Sequence, residues 1–178
     1  MTPIPLMLAA GLLAPLSRHV PLDPLSWEGL FTTLVCGFIV GFERQIRGKP
    51  AGIRTSMMIC MGTYLFVRLG VSLEGAHTDP SRIVGQVVTG IGFLGAGVMM
   101  AREGVVIGAT SAAVIWVQAA LGTLVGMGHL QTSVVISCLT VIILLFIEFL
   151  EVTFHSLRAG GHARHHDDRR SPDDRRQP

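Results

Sequence analysis

Charged residues are absent from long stretches of this chain and crowded into the short segments between them. Only 15% of the 178 residues are charged and 49% are hydrophobic, whereas charged residues make up about 25% of a typical soluble domain. The apolar residues form continuous blocks instead of the spaced stripe of an amphipathic helix. A bilayer core about 30 Å thick requires about 20 apolar helical residues to cross it. The sequence therefore predicts a polytopic α-helical membrane protein.

Five segments are long and apolar enough to cross a bilayer. They are 25–42, 53–71, 83–101, 105–128 and 130–150. We expect residues 25–154 to form one all-α membrane domain, a bundle of five transmembrane helices. A disordered polar tail is predicted at 155–178, because its histidines lie among alternating arginine and aspartate pairs that are typical of a solvated segment.

Residues 1–24 leave three interpretations open. The first 17 residues carry no charged side chain, but Pro3, Pro5 and Pro15 disfavour a continuous helix. We favour a loose or interfacial N-terminal segment. The alternatives are a leader peptide that lacks the usual basic start, and a short sixth span.

The basic residues predict an orientation, because cytoplasmic loops of membrane proteins carry an excess of lysine and arginine. The connection 43–54 holds four basic residues against one acidic residue, so it is predicted to be cytoplasmic. Five spans then place the N-terminus outside and the C-terminus, with its arginine-rich tail, in the cytoplasm. The connection 72–82, which holds Glu74 and Asp79, would lie outside.

This basic connection is also the first candidate site. The candidate residues for binding a cytoplasmic ligand or a partner protein are Glu43, Arg44, Arg47, Lys49, Arg54 and Thr55. The simpler alternative is that the charges enforce topology and touch anionic lipid headgroups. Pro50, Ala51 and Gly52 predict a defined turn, which a pure charge marker does not need.

A second candidate site lies where the third span begins. Asp79 followed by Pro80 has the pattern of a helix N-cap. The functional alternative is an outer cation site formed by Asp79, Arg82 and Gln86, with Asp79 as the metal ligand and Mg²⁺ as the ligand or transported ion. The second, third and fourth spans hold no acidic residue deep inside. That absence weighs against active transport of a divalent cation.

Glycines predict how the spans pack. Lipid provides no hydrophobic drive between helices, so close approach depends on small residues. The candidates for helix packing or for a hinge are Gly37, Gly41, Gly90, Gly92, Gly95 and Gly97. In one interpretation they pack helices together, including those of a homo-oligomer. In the other, the third span bends or unwinds and exposes backbone carbonyls to a cavity.

Nothing in the sequence indicates catalysis or a resident cofactor. No nucleophile–base pair, phosphate-binding loop or metal-ligand constellation occurs, and the three cysteines lie inside apolar blocks without a CxxC spacing. We therefore expect a protein that is not an enzyme. Its expected partners are the lipid bilayer, further copies of itself and, in a regulatory role, other membrane proteins, but no nucleic acid.

Three stretches resemble the MgtC/SapB family of bacterial membrane proteins. They are ERQIRGKPAGIRT at 43–55, DPSRIVGQVVTGIGFLGAG at 79–97, and GATSAA, WV and AALG within 108–122. The resemblance covers roughly residues 27–150, with all five spans in order. Three long motifs in the right sequence make it specific.

The resemblance implies a protein of the bacterial inner membrane that is associated with growth when magnesium is scarce and, in pathogens, with survival inside host cells. Members are often described as magnesium transporters, while the best-studied kind regulates other membrane machines, including the proton-driven ATP synthase. Longer members carry a soluble C-terminal domain, and we expect this chain to be the short, membrane-only form. Two functions stay open: a regulator of membrane partners in magnesium homeostasis, and a transporter or channel for magnesium or another small solute.

Overall fold

The computed structural model describes residues 23–73, 79–102 and 105–153. It contains five helices, α1 (Trp27–Ile46), α2 (Ile53–Leu73), α3 (Pro80–Val98), α4 (Ala109–Gly126) and α5 (Leu130–Thr153), and two strands, β1 (Met100–Arg102) and β2 (Val105–Ile107). All five helices are long and apolar enough to cross a membrane. The predicted all-α fold with five spanning helices is confirmed, and the orientation stays a prediction. The expectations for residues 1–22 and 154–178 lie outside the described residues.

Each of the five predicted spans differs from its helix at one end or both. α1 continues four residues past the predicted end at Phe42, and the predicted ends at Ala101 and Val105 fall within an antiparallel hairpin of β1 and β2. Residues 105–107 are β-branched, which favours a strand. Gly108, with φ +94°, then begins α4 in a left-handed conformation.

The chain divides at Val141 into two units. The first contains α1 to α4, the hairpin and the first half of α5. In the second, the described residues are the end of α5 at 142–153, where exposed apolar side chains such as Phe146 and Phe149 predominate.

Glycines bring α1 and α4 into direct contact with α2. A Cβ atom added at Gly37 of α1 would lie 2.6 Å from the Cα atom of Met57, and one at Gly41 would lie equally close to the first turn of α2. On α4, a Cβ at Gly122 would collide with the carbonyl oxygen of Cys60. These three helices form the tightly packed core of the first unit.

The segment before α1 is tied to the second half of α2. Ser26 caps α1 by accepting a hydrogen bond of 3.1 Å from the backbone N–H of Gly29. The backbone N–H of Ser26 donates to the hydroxyl of Tyr64 at 2.8 Å. Arg68 donates to the carbonyl oxygen of Pro24 from Nε at 3.0 Å and from Nη2 at 2.6 Å. The start of α1 is thereby fixed beside α2.

α3 is attached to the core along one side. Its buried residues are Ile91 and Gly95, and Ile91 packs in a cluster with Ile115 and Ala119 of α4. The helix is continuous from Pro80 to Val98, so no turn is unwound at its glycines. Most of the surface of α3 is therefore exposed on the outside of the bundle.

Candidate functional site

Four side chains form an ionic cluster between the last turn of α1 and the first turn of α4. They are Glu43, Arg44, Arg47 and Ser111. Glu43 is 7% exposed and Arg44 is 3% exposed. Nε of Arg47 lies 3.0 Å from Oε1 of Glu43, and Nη1 of Arg44 lies 3.9 Å from Oε2. Nη2 of Arg44 donates to the hydroxyl of Ser111 at 2.9 Å. The cluster thus connects residues that are 67 positions apart in the chain.

Two buried atoms of the ionic cluster lack a hydrogen-bond partner in the described structure. They are Oε2 of Glu43 and Nε of Arg44. Removing ionised groups from water is costly unless each is paired and hydrogen-bonded. The carboxylate faces two guanidinium groups, so its charge is compensated within the protein. The cluster therefore links the end of α1 to the start of α4, and its carboxylate is paired within the protein.

A second set of buried polar side chains lies deeper between α2 and α4. Gln118 is fully buried, and its Nε2 donates to the hydroxyl of Ser56 at 2.7 Å. That hydroxyl in turn donates to the carbonyl oxygen of Ala51 at 2.9 Å, and the thiol of Cys60 donates to the carbonyl oxygen of Gln118 at 3.3 Å. Oε1 of Gln118 has no hydrogen-bond partner among the described residues.

The remaining residues of the predicted basic site lie on the surface. Lys49, Arg54 and Thr55 are exposed. The structure therefore divides the predicted set, with Glu43 and Arg44 inside the bundle and these three outside. No described group lies close enough to Arg54 or Lys49 to form an ion pair.

The connection between α1 and α2 has a defined backbone. Gly48 and Ala51 both adopt φ +61°, a conformation that is uncommon for a non-glycine residue. The backbone N–H of Lys49 donates to the carbonyl oxygen of Arg44 at 3.0 Å. Oε1 of Gln45 accepts a hydrogen bond of 3.2 Å from the N–H of Ile53 and so caps α2. The exposed basic residues Lys49 and Arg54, called the basic surface below, are thus presented by a structured turn.

The second predicted site is placed at the exposed start of α3. Asp79 caps the helix, accepting 2.9 Å and 2.7 Å hydrogen bonds from the N–H and hydroxyl of Ser81. These hydrogen bonds, and the nearby charge of Arg82, hold the pKa of the Asp79 carboxyl below its usual value. Gln86 lies further along α3. Among the described residues there is no group of three or more histidine, cysteine or acidic side chains that could hold a metal ion.

The predicted glycines fall into two groups. Gly37 and Gly41 pack on the backbone of α2, whereas a Cβ at Gly90, Gly92 or Gly97 would meet no atom within 4 Å. Gly95 is intermediate, because its Cβ would lie in ordinary contact with Ala112 at 3.7 Å. α1 uses its glycines for packing inside the chain, and α3 leaves most of its own open.

A groove of about 620 Å³ lies between α2 and α3. Its walls are mainly apolar and include Met58, Phe66 and Leu94, with Thr55 at one end and Gln86 towards the other. The amide of Gln86 makes no hydrogen bond to the described part of the chain.

Sequence reasoning missed Ser111 as the partner of Arg44, and it missed the hydrogen bond between Gln118 and Ser56. Ser111, Gln118 and Ser56 each belong to an apolar span, and the bonds they make join residues about 60 positions apart. The available signal was weak: Gln118 is an isolated polar residue in an apolar span, where a protein-facing position is expected.

The fold and the site define a multi-pass helical membrane protein with a buried ionic cluster at one end of its core. The sequence profile of the MgtC family matches residues 30–153. The chain therefore belongs to the MgtC family, which confirms the resemblance seen in its motifs.

Curated relatives agree with this membership. The chain is 40% identical over 140 residues to the "Putative magnesium transporter YhiD" of Escherichia coli strain K12, covering 75% of this chain and 64% of that protein. It is 38% identical over 116 residues to "Protein MgtC" of Brucella abortus (61% and 48%) and over 119 residues to "Protein MgtC" of Salmonella typhimurium (64% and 50%). The chain thus spans about half to two thirds of the length of these relatives. No solved structure matches it.

Proposed function

We propose that the chain is a non-enzymatic regulator that acts on partner proteins in the bacterial inner membrane and supports magnesium homeostasis. Membership of the MgtC family supports the membrane role, and the name of the Escherichia coli relative supports the link to magnesium. The proposal thus includes a role in magnesium homeostasis, the existence of partner proteins and the location in the inner membrane.

The observation that carries the regulatory role is the closed packing of α1, α2 and α4. At Gly37 and Gly122 the helix backbones approach so closely that a single added carbon atom would collide with the neighbouring helix. The acidic group buried in this core, Glu43, is already engaged by Arg44 and Arg47. A hydrated magnesium ion needs several oxygen ligands and space for its retained waters. The buried side-chain oxygens without a hydrogen-bond partner among the described residues are Oε2 of Glu43, which faces Arg44, and Oε1 of Gln118.

The structured connection between α1 and α2 supports the binding of a partner. Lys49 and the neighbouring Pro50 are exposed. The ionic cluster fixes the end of α1 before the turn, and the hydrogen bond from Ile53 to Gln45 fixes the start of α2 after it. A rigid basic surface loses little conformational entropy when a partner binds. An acidic surface of another membrane protein has the complementary charge.

The proposal is tested by magnesium uptake into sealed liposomes that contain the purified protein and an enclosed magnesium indicator. We expect uptake equal to that of empty vesicles, with insertion checked by protease protection. Uptake above the empty vesicles that is abolished in Asp79→Asn would contradict the proposal and establish a carrier.

A second arm tests the basic surface in cells. In a strain that needs the protein for growth at limiting magnesium, Lys49→Glu is expected to reduce growth at unchanged protein level. The matched control is Arg82→Glu, which reverses an exposed cation next to the other end of the groove. Equal growth of the two variants would show that the α1–α2 connection has no part in the regulatory role.

The runner-up function is a carrier or channel for magnesium or another small solute. It is favoured by the groove between α2 and α3, where Gln86 presents an amide without a partner in the described structure. The predicted outer site is weaker support, because the carboxylate of Asp79 is already engaged by Ser81.

A further inference from the structure

The groove between α2 and α3 has the length of one bilayer leaflet. On α2 it runs from Thr55 to Phe66, which is roughly 16 Å at the rise of an α-helix. On α3 it runs from Ile83 to Leu94, over the same length. Half of a hydrocarbon core about 30 Å thick is about 15 Å. Thr55 is the third residue of α2, so the groove reaches the membrane boundary at the end where α2 begins.

Two glycines keep the groove open. Gly62 lines it from α2 and Gly90 lines it from α3. A Cβ atom at either position would meet no atom within 4 Å. These glycines therefore do not bring two helices together, as those of α1 and α4 do. They leave space along the groove.

An exposed cation lies next to the Thr55 end of the groove. Arg54 is exposed and directly precedes Thr55. It lies one helical turn before Met58, a residue of the groove wall, and residues four apart share one side of a helix. No described carboxylate pairs with Arg54. A guanidinium group at this depth is suited to a phosphate at the headgroup level.

The groove is lined by one face of α2 and one face of α3, mainly with apolar side chains. A hydrocarbon chain suits such a lining because it has no backbone polar groups to satisfy. The amide of Gln86 lies on α3, roughly 12 Å of helix from Leu94, so it is too distant to share a headgroup with Arg54.

We propose that this groove is a binding site for an anionic phospholipid. The phosphate binds Arg54 and an acyl chain lies along Met58, Gly62 and Gly90 towards Phe66. The lipid belongs to the leaflet in which the α1–α2 connection lies. The lipid site is independent of the proposed regulatory function, whereas a solute carried through the same groove would compete with the lipid.

The test is native mass spectrometry of the full chain, released from detergent in the presence of palmitoyl-oleoyl phosphatidylglycerol. The wild-type protein is expected to retain one lipid. Gly62→Leu and Gly90→Leu fill the groove from opposite walls and are each expected to weaken retention at least tenfold. Gly92→Leu is the matched control, since it adds the same side chain in open space outside the groove lining.

The headgroup is tested separately. Arg54→Gln is expected to weaken retention of phosphatidylglycerol severalfold, whereas Arg82→Gln, next to the other end of the groove, is expected to leave it unchanged. Circular dichroism verifies that each variant keeps its helix content. The proposal is overturned if both leucine variants that fill the groove bind lipid like the wild type, or if Arg82→Gln has the effect expected of Arg54→Gln. It is equally overturned if those leucine variants dissociate a dimer without changing lipid retention, because a second copy then occupies the groove.

Discussion

The contrast between Gly37 and Gly92 gives a prediction for the stability of the bundle. Both residues lie within helices of similar length and are replaced by alanine. A Cβ at Gly37 would lie 2.6 Å from Cα and 2.9 Å from the backbone nitrogen of Met57, so backbone must move to admit it. A Cβ at Gly92 would meet nothing within 4 Å. The same methyl group is therefore added once into contact and once into open space.

The expected difference follows from two effects. Replacing glycine by alanine within a helix stabilises it by about 1 kcal/mol at either position. Overpacking costs about 1–3 kcal/mol, and only Gly37→Ala suffers it. The helix contribution cancels when the two variants are compared. Gly37→Ala should therefore be less stable than Gly92→Ala by about 1–3 kcal/mol, a factor of roughly 5 to 150 in the unfolding equilibrium.

Buried thiols provide the assay. Cys36 and Cys60 are fully buried, whereas Cys138 is exposed and is first replaced by serine. Unfolding in micelles with increasing dodecyl sulfate is then followed by the rate at which a maleimide modifies the two thiols. The glycine reasoning is refuted if both alanine variants unfold at the same dodecyl sulfate concentration. If Gly92→Ala unfolds first, the face of α3 that is open here is packed against protein in the micelle.

Three further predictions concern polar contacts. Arg44→Met should destabilise the protein by about 1.5–3 kcal/mol in the same thiol assay, because it removes the charged hydrogen bond to Ser111 while Glu43 keeps Arg47 as its partner. Tyr64→Phe should cost about 0.5–1.5 kcal/mol by removing the hydrogen bond to Ser26, with no change in fold by circular dichroism. Because the pKa of Asp79 is lowered in the folded state, its cap stabilises α3 above the ordinary aspartate pKa and is lost as the pH falls through the lowered value. The protection of amide hydrogens from exchange in the first turn of α3, relative to an unstructured peptide at the same pH, should fall below about pH 4 in the wild type but not in Asp79→Ala.

The five helices could be predicted because their signal is local. An uncharged stretch of sufficient length is visible in the sequence without knowledge of its neighbours. The end of α1 was placed too early for the same reason: Glu43 and Arg44 are charged and were assigned to a loop. They are helical and buried, with Arg44 hydrogen-bonded to Ser111, 67 residues away, and Glu43 paired with Arg47. A pairing over that distance leaves no pattern in one sequence.

The glycines show a similar limit. Their density indicates close packing but does not say which face of a helix is covered. Gly37 and Gly41 pack on α2, while Gly90 and Gly92 stay open, and all four lie in apolar stretches of similar composition. The hairpin of β1 and β2 was missed because three β-branched residues after a span read equally well as the start of the next span.

The one-sided attachment of α3 bears on how the protein is made. α1 and α2 can pair as soon as both have left the ribosome, since their contacts lie between neighbours in the chain. α3 instead finds Ile115 and Ala119 on α4, which is synthesised after it. At roughly 5–20 residues per second, α3 waits in the bilayer for seconds before α4 is complete. Throughout that interval α3 depends on its contacts with α2, such as Ile83 beside Gly70, and on its own side chains, with Gln86 and four open glycines, Gly85, Gly90, Gly92 and Gly97, among them.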